Sequence, residues 1–233
     1  MLEVKGINTF YGKSHVLHDL FLEVKGGELV GLLGRNGMGK TTTLKSIMGL
    51  VPPKTGHVLF DDNHASYLPP HRIPRLGIGY VPQGRHIFPK LTVMENIKIA
   101  LVHREIDQEL LDQIFEYFPQ LKERLSQPGG TLSGGEQQML AIARGLITKP
   151  KLMLLDEPTE GLMPILVNII QETIRSINEK GVSLLLVEQN IKMALNICKR
   201  IYIIEKGRIV YEGLAKELIA DETTQQRYLG VHI

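Results

Sequence analysis

The chain has 233 residues, a nearly neutral net charge of +2 and one cysteine, Cys198. This length suits a single large domain that buries roughly 70–75% of the unfolded chain's surface. The weak charge argues against a nucleic-acid binder that depends on a basic surface, and the lone cysteine excludes an internal disulfide, which favours a reducing cytoplasm. No apolar run approaches the roughly 20 residues that span a bilayer, and the first residues show no signal-peptide pattern. A role at a membrane would therefore require a partner.

Strand patterns precede the first glycine-rich loop. The first 30 residues alternate apolar and polar side chains, which predicts antiparallel strands. Gly26 and Gly27 mark a turn into the apolar run 29–33, which predicts a buried strand. A helix is expected to begin within the loop at 34–41 and to end near Met48.

The rest of the chain alternates strands and helices around one long helical block. Residues 92–146 are predicted to be mainly helical, with breaks at Pro119 and at 128–130. The other predicted elements are strands at 57–60, 152–156 and 183–188, helices at about 164–179 and at 190–197, and strands near 201–204 and 208–211. This alternation indicates an α/β fold whose mostly parallel sheet is covered on both faces, with the helical block as an insertion.

The loop at 34–41 reads GRNGMGKT, a full match to the phosphate-binding pattern G-x-x-x-x-G-K-S/T. Gly37 and Gly39 let successive backbone N–H groups point toward a phosphate, and the helix N-terminus adds partial positive charge. Lys40 is expected to contact the β- and γ-phosphates, and the Thr41 hydroxyl to bind Mg²⁺. The alternative is a chance match in a turn between a strand and a helix.

Two carboxylates follow the apolar run 152–155. They are expected at the carboxyl end of a central strand, where α/β sheets bind ligands. In that position Asp156 would hold Mg²⁺, and Glu157 would orient or deprotonate the attacking water. Without the phosphate loop, the same pair would indicate only a strand that runs into a charged turn.

A third segment completes a familiar combination. Residues 132–136 read LSGGE at the start of a predicted helix, where a serine hydroxyl and unpaired N–H groups can bind an anion, although the same residues also suit an ordinary helix cap. With the other two motifs, the whole chain resembles the nucleotide-binding subunits of ABC transporters, whose signature is LSGGQ. The resemblance implies a P-loop, RecA-like α/β fold with an N-terminal antiparallel β part. It further implies one ATP-binding domain over 1–233, with its core at 1–83 and 147–233 and a helical insertion at about 84–146.

The resemblance also assigns site residues. Two subunits are expected to pack head to tail, so that Ser133 and Gly135 contact the γ-phosphate of ATP bound to the other chain. Tyr11 would stack on adenine, unless it is an ordinary strand aromatic, and Gln83 would link Mg²⁺ and the attacking water to the insertion. The implied ATP-binding residues are Tyr11, Val16, Gly34, Arg35, Asn36, Gly37, Met38, Gly39, Lys40, Thr41 and Thr42; the signature residues are Leu132, Ser133, Gly134, Gly135 and Glu136; the catalytic residues are Gln83, Glu157 and Gln189; and the Mg²⁺ ligands are Thr41, Gln83 and Asp156.

Two positions depart from the family pattern. Gln189 stands where the family usually has a histidine that bonds the γ-phosphate, and a glutamine amide donates a hydrogen bond but carries no positive charge. We therefore expect an ATP site that depends less on a charged side chain, or that hydrolyses ATP more slowly. Residues 158–162 read PTEGL where many members have SALD, which leaves open how two sites communicate through this loop.

Residues 77–83, 161–164 and 188–190 are similar to the second ATPase subunit of branched-chain amino acid importers, a type that urea and short-amide importers share. The similarity implies a second, similar ATPase subunit in a heterodimer, or a homodimer, and an external solute-binding protein that acts indirectly. Transmembrane permease subunits would bind region 84–100, with Ile87 and Phe88 as exposed contacts unless they are buried in the insertion. No nucleic-acid partner is expected, and the chain would lie peripherally on the cytoplasmic face of the cell membrane.

Two other classes of function stay open at this stage. A soluble ABC-type mechanical ATPase that acts on DNA or ribosomes would usually carry a long coiled coil or two cassettes, and a nucleotide sensor that does not hydrolyse ATP would not need Glu157. The eight histidines show no metal-ligand spacing. Cys198 is expected to be buried on a helix face, and 221–226 to form a solvated helix end. Arg144 is expected to form structural hydrogen bonds between helix and sheet, unless it contacts another subunit.

Overall fold

The computed structural model describes residues 1–101 and 105–230, and within these residues ten strands form two sheets. The strands are β1 (Leu2–Tyr11), β2 (Ser14–Val24), β3 (Leu29–Leu33), β4 (Thr55–Phe60), β5 (Asn63–His64), β6 (Ile78–Val81), β7 (Leu152–Asp156), β8 (Ser183–Glu188), β9 (Arg200–Glu205) and β10 (Arg208–Leu214).

Helices cover both sheets and fill the long segment between β6 and β7. They are α1 (Lys40–Ile47), α2 (Val93–Lys98), α3 (Gln108–Tyr117), α4 (Pro119–Lys122), α5 (Gly134–Leu146), α6 (Pro164–Glu179), α7 (Ile191–Ile197), α8 (Ala215–Ala220) and α9 (Glu222–Thr224). Short 3₁₀ turns lie at Ala65–Tyr67, Pro70–Leu76, Ile99–Leu101 and Gly129–Thr131, and a π-turn lies at Gln225–Leu229. Among the described residues, no helix combines the length and the hydropathy that crossing a bilayer requires.

The larger sheet has six strands in the order β10-β9-β3-β8-β7-β6, and the smaller has four in the order β2-β1-β4-β5. All neighbours from β9 to β6 are parallel, whereas β10 and the whole smaller sheet are antiparallel. The predicted α/β class, with a mostly parallel sheet and an N-terminal antiparallel part, is therefore confirmed. In the parallel sheet, β3, β7 and β8 end at one edge, which is where their following loops meet.

The central strand β3 divides the core into two layers, because successive side chains of a strand point to opposite faces. Val30 and Leu32 pack with α1 and the antiparallel sheet. Leu29 and Leu33 pack with the helices of 93–146 and with α6 and α7. Every residue of β3, β7 and β8 is buried, as expected for strands covered on both faces.

The structure differs from the sequence-based expectations in a few places. The block 92–146 is helical but more divided than expected, and Pro119 opens a short helix because its missing N–H is tolerated in a first turn. Cys198 is buried, but it ends α7 rather than lying on its face. The expectation of a solvated end at 221–226 is wrong for Gln225, which is buried and donates hydrogen bonds to the carbonyl groups of Leu218 and Ile219.

Gly207, in the turn between β9 and β10, links the glycine-rich loop at 34–41 to the antiparallel sheet. Its N–H donates to the Met38 carbonyl at 2.9 Å, and its own carbonyl accepts from the His18 N–H at 2.9 Å. Its φ is +76°, and a Cβ at this position would lie 1.9 Å from the Val16 carbonyl oxygen. Only glycine therefore permits this close approach between the two sheets.

We expect Gly207→Ala to lower the free energy of unfolding by at least about 2 kcal/mol, since the variant combines a left-handed backbone with a backbone clash. Gly27→Ala is the matched control, because Gly27 has a φ of +69° but open space where its Cβ would lie. It should lose only about 1 kcal/mol. Urea unfolding of both variants measures the difference, and equal losses would contradict this account of Gly207.

Candidate functional site

A cavity of about 270 Å³ opens at the edge of the parallel sheet where β3 ends. Its lining residues are Val16, Asn36, Gly37, Gly39, Lys40, Thr41, Thr42, Gln83 and Glu157. All nine belong to the residues predicted from sequence as an ATP site. The structure thus brings together residues from the antiparallel sheet, the glycine-rich loop and the loops after β6 and β7.

The glycine-rich loop joins β3 to the start of α1. Gly37 and Gly39 both have positive φ, 77° and 113°, which turns the backbone in a way that other residues rarely adopt. A Cβ at 39 would also approach the Leu17 side chain to 2.8 Å. The loop therefore presents backbone N–H groups and a helix N-terminus to the cavity, which together favour a bound anion.

Lys40 is the buried cation of this cavity. Its ammonium group donates to the Gly34 carbonyl at 2.8 Å and to the Arg35 carbonyl at 3.2 Å, and it lies 3.1 Å from a carboxylate oxygen of Glu157. The Lys40 and Glu157 side chains are only 4% and 6% exposed. A charge held in so dry a place interacts strongly with any anion that enters the cavity.

Asp156 lies beside the glycine-rich loop, next to two hydroxyl groups. Its two carboxylate oxygens accept from the Thr41 hydroxyl at 3.1 Å and from the Tyr80 hydroxyl at 3.3 Å. Burial raises the pKa of the Asp156 carboxyl and that of the Tyr80 hydroxyl, which lies next to it. The Asp156 carboxylate, the Thr41 hydroxyl and the oxygen of the Gln83 amide are hard oxygen donors that suit Mg²⁺. Protein sites usually hold this ion through one or two side chains, substrate phosphates and water.

The described residues contain no cluster of three histidine, cysteine or acidic side chains that could hold a metal by themselves.

Glu157 and Gln83 face each other across the cavity. The Gln83 amide nitrogen donates to Glu157 at 3.4 Å and to Glu160 at 3.0 Å. Glu157 has a left-handed backbone, with φ of 47°, and its N–H donates to the Val187 carbonyl at 2.9 Å. A non-glycine residue in this conformation costs free energy, and such residues concentrate at functional sites.

Glu188, which sequence reasoning did not select, connects two loops at the rim of the cavity. One of its carboxylate oxygens accepts from the Thr159 hydroxyl and N–H at 2.7 and 3.1 Å, and the other accepts from the N–H groups of Gln189 and Asn190, both at 3.1 Å. Burial raises the pKa of the Glu188 carboxyl, and these hydrogen bonds oppose the rise. The only sequence signal was an acidic residue that ends an apolar strand next to β7.

Three groups of predicted residues lie outside the cavity lining: Gly34, Arg35, Met38 and Asp156 in or next to the glycine-rich loop, the pair Tyr11 and Gln189, and the segment 132–136. Tyr11 is 46% exposed near the end of β1, and Gln189 is exposed, with its backbone fixed by Glu188. The segment 132–136 begins α5, where Ser133 and Glu136 cap each other reciprocally. Within one chain, the two glycine-rich segments therefore do not share a cavity.

Region 84–100, which is predicted to contact the permease subunits, starts with a loop that the side chains of Asn96 and Arg144 hold in place by hydrogen bonds. The buried Asn96 side chain bonds both the N–H and the carbonyl of Phe88, at 2.8 and 2.9 Å. The Arg144 guanidinium donates to the His86 carbonyl at 2.7 Å and lies over the Phe88 ring, so the predicted structural hydrogen bonds of Arg144 go to this loop rather than to the sheet. Phe88 is 45% exposed as expected, whereas Ile87 packs partly against the core.

Comparisons with known proteins agree with this geometry. A sequence profile described as ABC transporter matches residues 17–160. BraG, a high-affinity branched-chain amino acid transport ATP-binding protein of Pseudomonas aeruginosa, is 44% identical over 99% of this chain and 100% of its own length. LivF of Archaeoglobus fulgidus, a probable branched-chain amino acid transport ATP-binding protein, is 38% identical over 99% of both chains. LptB of Escherichia coli, the ATP-binding protein of a lipopolysaccharide export system, is 37% identical over 98% of this chain and 97% of its own.

Solved structures show the same fold. The ADP conformation of an ATP-binding cassette superposes with a TM-score of 0.88 at 25% identity, covering 99% of this chain and 97% of that one. A dimeric cassette in a post-hydrolysis state, bound to ADP and Pi, superposes with a TM-score of 0.83 at 27% identity, covering 92% of this chain and 99% of that one.

We expect Thr159→Val to lower the free energy of unfolding by about 1.5–3 kcal/mol at neutral pH, because it removes a hydrogen bond to a buried carboxylate. The Thr159 hydroxyl lowers the pKa of Glu188, so its stabilisation is present above that pKa and is lost as pH falls through it. The loss measured by urea unfolding should therefore be larger at alkaline than at acidic pH.

Thr173→Val serves as the control, because the buried Thr173 hydroxyl donates only to the neutral Ile169 carbonyl of its own helix. Its effect should be smaller and independent of pH. Equal, pH-independent losses in the two variants would contradict the role given to Glu188.

Proposed function

We propose that this chain, which belongs to the ABC transporter family and is an ATPase, powers the import of branched-chain amino acids. The observation that carries the proposal is the 44% identity to BraG over the full length of both proteins. The second branched-chain relative, LivF, supports the same substrate class. LptB is less similar, at 37% identity, and represents the alternative of an exporter.

Different residues of the cavity bind different parts of ATP. The N–H groups of the loop at 34–41 and the Lys40 ammonium bind the β- and γ-phosphates, since both present positive charge to the cavity. Thr41, Gln83 and Asp156 would hold Mg²⁺, and this ion would neutralise part of the phosphate charge when bound. Val16 and the exposed Tyr11 contact the nucleoside end.

Hydrolysis requires a base and an oriented water. Glu157 accepts the proton of the attacking water, and its left-handed backbone and its ion pair with Lys40 fix the carboxylate toward the cavity. Gln83, which already bonds Glu157, orients the same water. Gln189 lies at the rim and donates a neutral hydrogen bond to the γ-phosphate, so we infer slower hydrolysis than a histidine at this position would give.

The second half of the ATP site comes from another subunit. In this chain the signature at 132–136 lies outside the cavity, and Ser133 is exposed. A second ATPase subunit, similar or identical, therefore places its own signature over this cavity, and this chain's signature covers the partner's ATP. Transport follows if ATP binds the closed pair more tightly than the open pair, because only differential affinity shifts such an equilibrium.

The permease subunits bind region 84–100, which keeps the ATPase at the cytoplasmic face of the membrane. Phe88 is an exposed aromatic side chain on a loop that Asn96 and Arg144 hold in place. Rigid, exposed aromatic residues are typical anchors of protein interfaces. An external solute-binding protein delivers the amino acid to the permease on the other side.

The substrate is tested by purifying the tagged chain from membranes of its own host, identifying the co-purified permease and binding protein, and reconstituting the assembly in liposomes. ATP-dependent uptake of leucine, isoleucine or valine is expected. Uptake of urea or a short amide instead, or movement of lipopolysaccharide, would overturn the substrate assignment and leave the ATPase assignment intact.

We expect Glu157→Gln to reduce the steady-state ATPase rate of the reconstituted assembly about 100-fold or more, because it removes the base while keeping the shape of the side chain. ATP binding should persist. Glu179→Gln, at an exposed position at the end of α6 and outside the cavity lining, should retain the full rate. Retention of turnover in Glu157→Gln would remove Glu157 from the role of base.

We expect Phe88→Ala to weaken binding of the permease subunits by about 30-fold, which corresponds to about 2 kcal/mol for an aromatic anchor. ATP affinity of the isolated chain should be unchanged. Phe21→Ala is the control, since Phe21 is 57% exposed on the antiparallel sheet. Co-purification from membranes measures both variants, and equal permease recovery from them would contradict the assignment of this contact.

A further inference from the structure

The turn that follows β7 places a second carboxylate beside that of Glu157. The Glu160 N–H donates to the Glu157 carbonyl at 3.1 Å, which closes a four-residue turn with Pro158 in its second position. Proline is favoured there because its fixed φ already suits the turn. The side chains of Glu157 and Glu160 consequently lie close enough for one amide group to contact both.

Thr159, the third residue of this turn, is held by a different strand. Its N–H and its hydroxyl both donate to one carboxylate oxygen of Glu188, at 3.1 and 2.7 Å. Thr159 and Glu188 are both buried, so water does not compete for these hydrogen bonds. The backbone that carries Glu160 is therefore fixed, although the Glu160 side chain is itself exposed.

The side-chain nitrogen of Gln83 is shared between the two carboxylates. It donates to a Glu160 oxygen at 3.0 Å and to a Glu157 oxygen at 3.4 Å. Ionised carboxylates accept hydrogen bonds and cannot donate them, so two such groups require the NH₂ end of the amide to face them. The opposite orientation of the amide would set its oxygen against two other acceptors.

Glu160 is the better placed of the two acceptors for Gln83. A length of 3.4 Å is beyond the usual range of a hydrogen bond to Glu157, whereas 3.0 Å to Glu160 is typical. Glu157 also forms the ion pair with Lys40, and a general base must keep an oxygen available for a proton. The orientation of the Gln83 amide therefore depends mainly on Glu160.

The oxygen of the Gln83 amide has no donor. Within residues 1–101 and 105–230, the hydrogen bonds of this side chain are the two that its nitrogen donates. Gln83 lines the cavity, where an amide oxygen can bind Mg²⁺ and an NH₂ group cannot, because Mg²⁺ takes oxygen ligands. An amide whose nitrogen is held by Glu160 thus keeps its oxygen free for a cation in the cavity.

We propose that Glu160 is a positioning residue for metal binding, which selects the orientation of the Gln83 amide that leaves the oxygen free for Mg²⁺. The inference rests on the proposed function, because that function makes Gln83 a ligand of the Mg²⁺ that accompanies ATP. In this role Glu160 contacts neither the ion nor the nucleotide. An exposed acid could instead act through its charge alone, but such an effect would not require Gln83.

The test measures binding of AMP-PNP, an ATP analogue that is not hydrolysed, to the full-length chain by calorimetry, in excess Mg²⁺ and in EDTA. We expect Glu160→Ala to weaken binding about 5-fold in Mg²⁺ and not to weaken it in EDTA, because only a metal ligand is misoriented. Glu160→Gln, which keeps an acceptor oxygen, should lose less. Glu179→Ala removes an exposed glutamate outside the cavity lining and should match the wild type in both conditions.

A double-mutant cycle separates orientation of the amide from an effect of charge alone. In a Gln83→Ala background there is no amide to orient, so Glu160→Ala should cause no further loss of affinity in Mg²⁺. A loss of the same size in both backgrounds would show that Glu160 acts on another group, and it would overturn the proposal. An equal loss in Mg²⁺ and in EDTA would indicate a structural defect and would overturn it as well.

The reconstituted assembly gives a second, independent readout. Glu160→Ala should raise the Mg²⁺ concentration at half-maximal ATPase rate about 5-fold and change the rate at saturating Mg²⁺ much less, because excess ion compensates for a misoriented ligand. A fall in the saturated rate without a change in Mg²⁺ dependence would assign Glu160 to the chemical step or to a contact with the second subunit, against the proposal.

Gln83→Ala separates this inference from the function on which it rests. Weaker binding in Mg²⁺ for Gln83→Ala but not for Glu160→Ala would refute the role of Glu160 alone. Unchanged binding in Mg²⁺ for Gln83→Ala would show that Gln83 is not a metal ligand. The proposed set of Mg²⁺ ligands would then be wrong, and the role of Glu160 would fall with it.

Discussion

The register of the parallel sheet is the constraint on which the rest of the molecule depends. Leu33 of β3 pairs with Glu188 of β8, and Asp156 of β7 pairs with Val187 of the same strand. The glycine-rich loop, Glu157 and Gln189 consequently leave the sheet at one edge, at the ends of three adjacent strands. A slip of one residue in any of these strands would turn its side chains to the opposite face and scatter the site.

This convergence could be predicted from the sequence because each part of it is local. The loop at 34–41 needs glycines at fixed spacing, and the strand before it and the helix after it follow from apolar runs and a cap. Asp156 and Glu157 follow a run of four apolar residues, which identifies a strand end without knowledge of its neighbours. Once two such ends are assigned to one parallel sheet, their proximity is a matter of topology.

The parts that could not be predicted depend on contacts between distant segments. Glu188 accepts two hydrogen bonds from Thr159, which lies 29 residues away and is not marked by its own sequence, in addition to two from the N–H groups that follow it. Ile87 and Phe88 are adjacent and similar in hydropathy, and only the packing of the insertion decides which one is exposed. Gln225 lies in a polar stretch, yet tertiary contacts bury it. The order of polar and apolar residues along the chain does not reveal these tertiary contacts.

The shared carboxylate of Glu188 has an energetic consequence. The segment that begins at Thr159 and the segment that begins at Gln189 are anchored to the same buried charge, so neither can detach without leaving hydrogen bonds of that charge unmade. The positions of the two segments are thereby coupled in energy, because both draw on one carboxylate that has no access to water as a substitute partner.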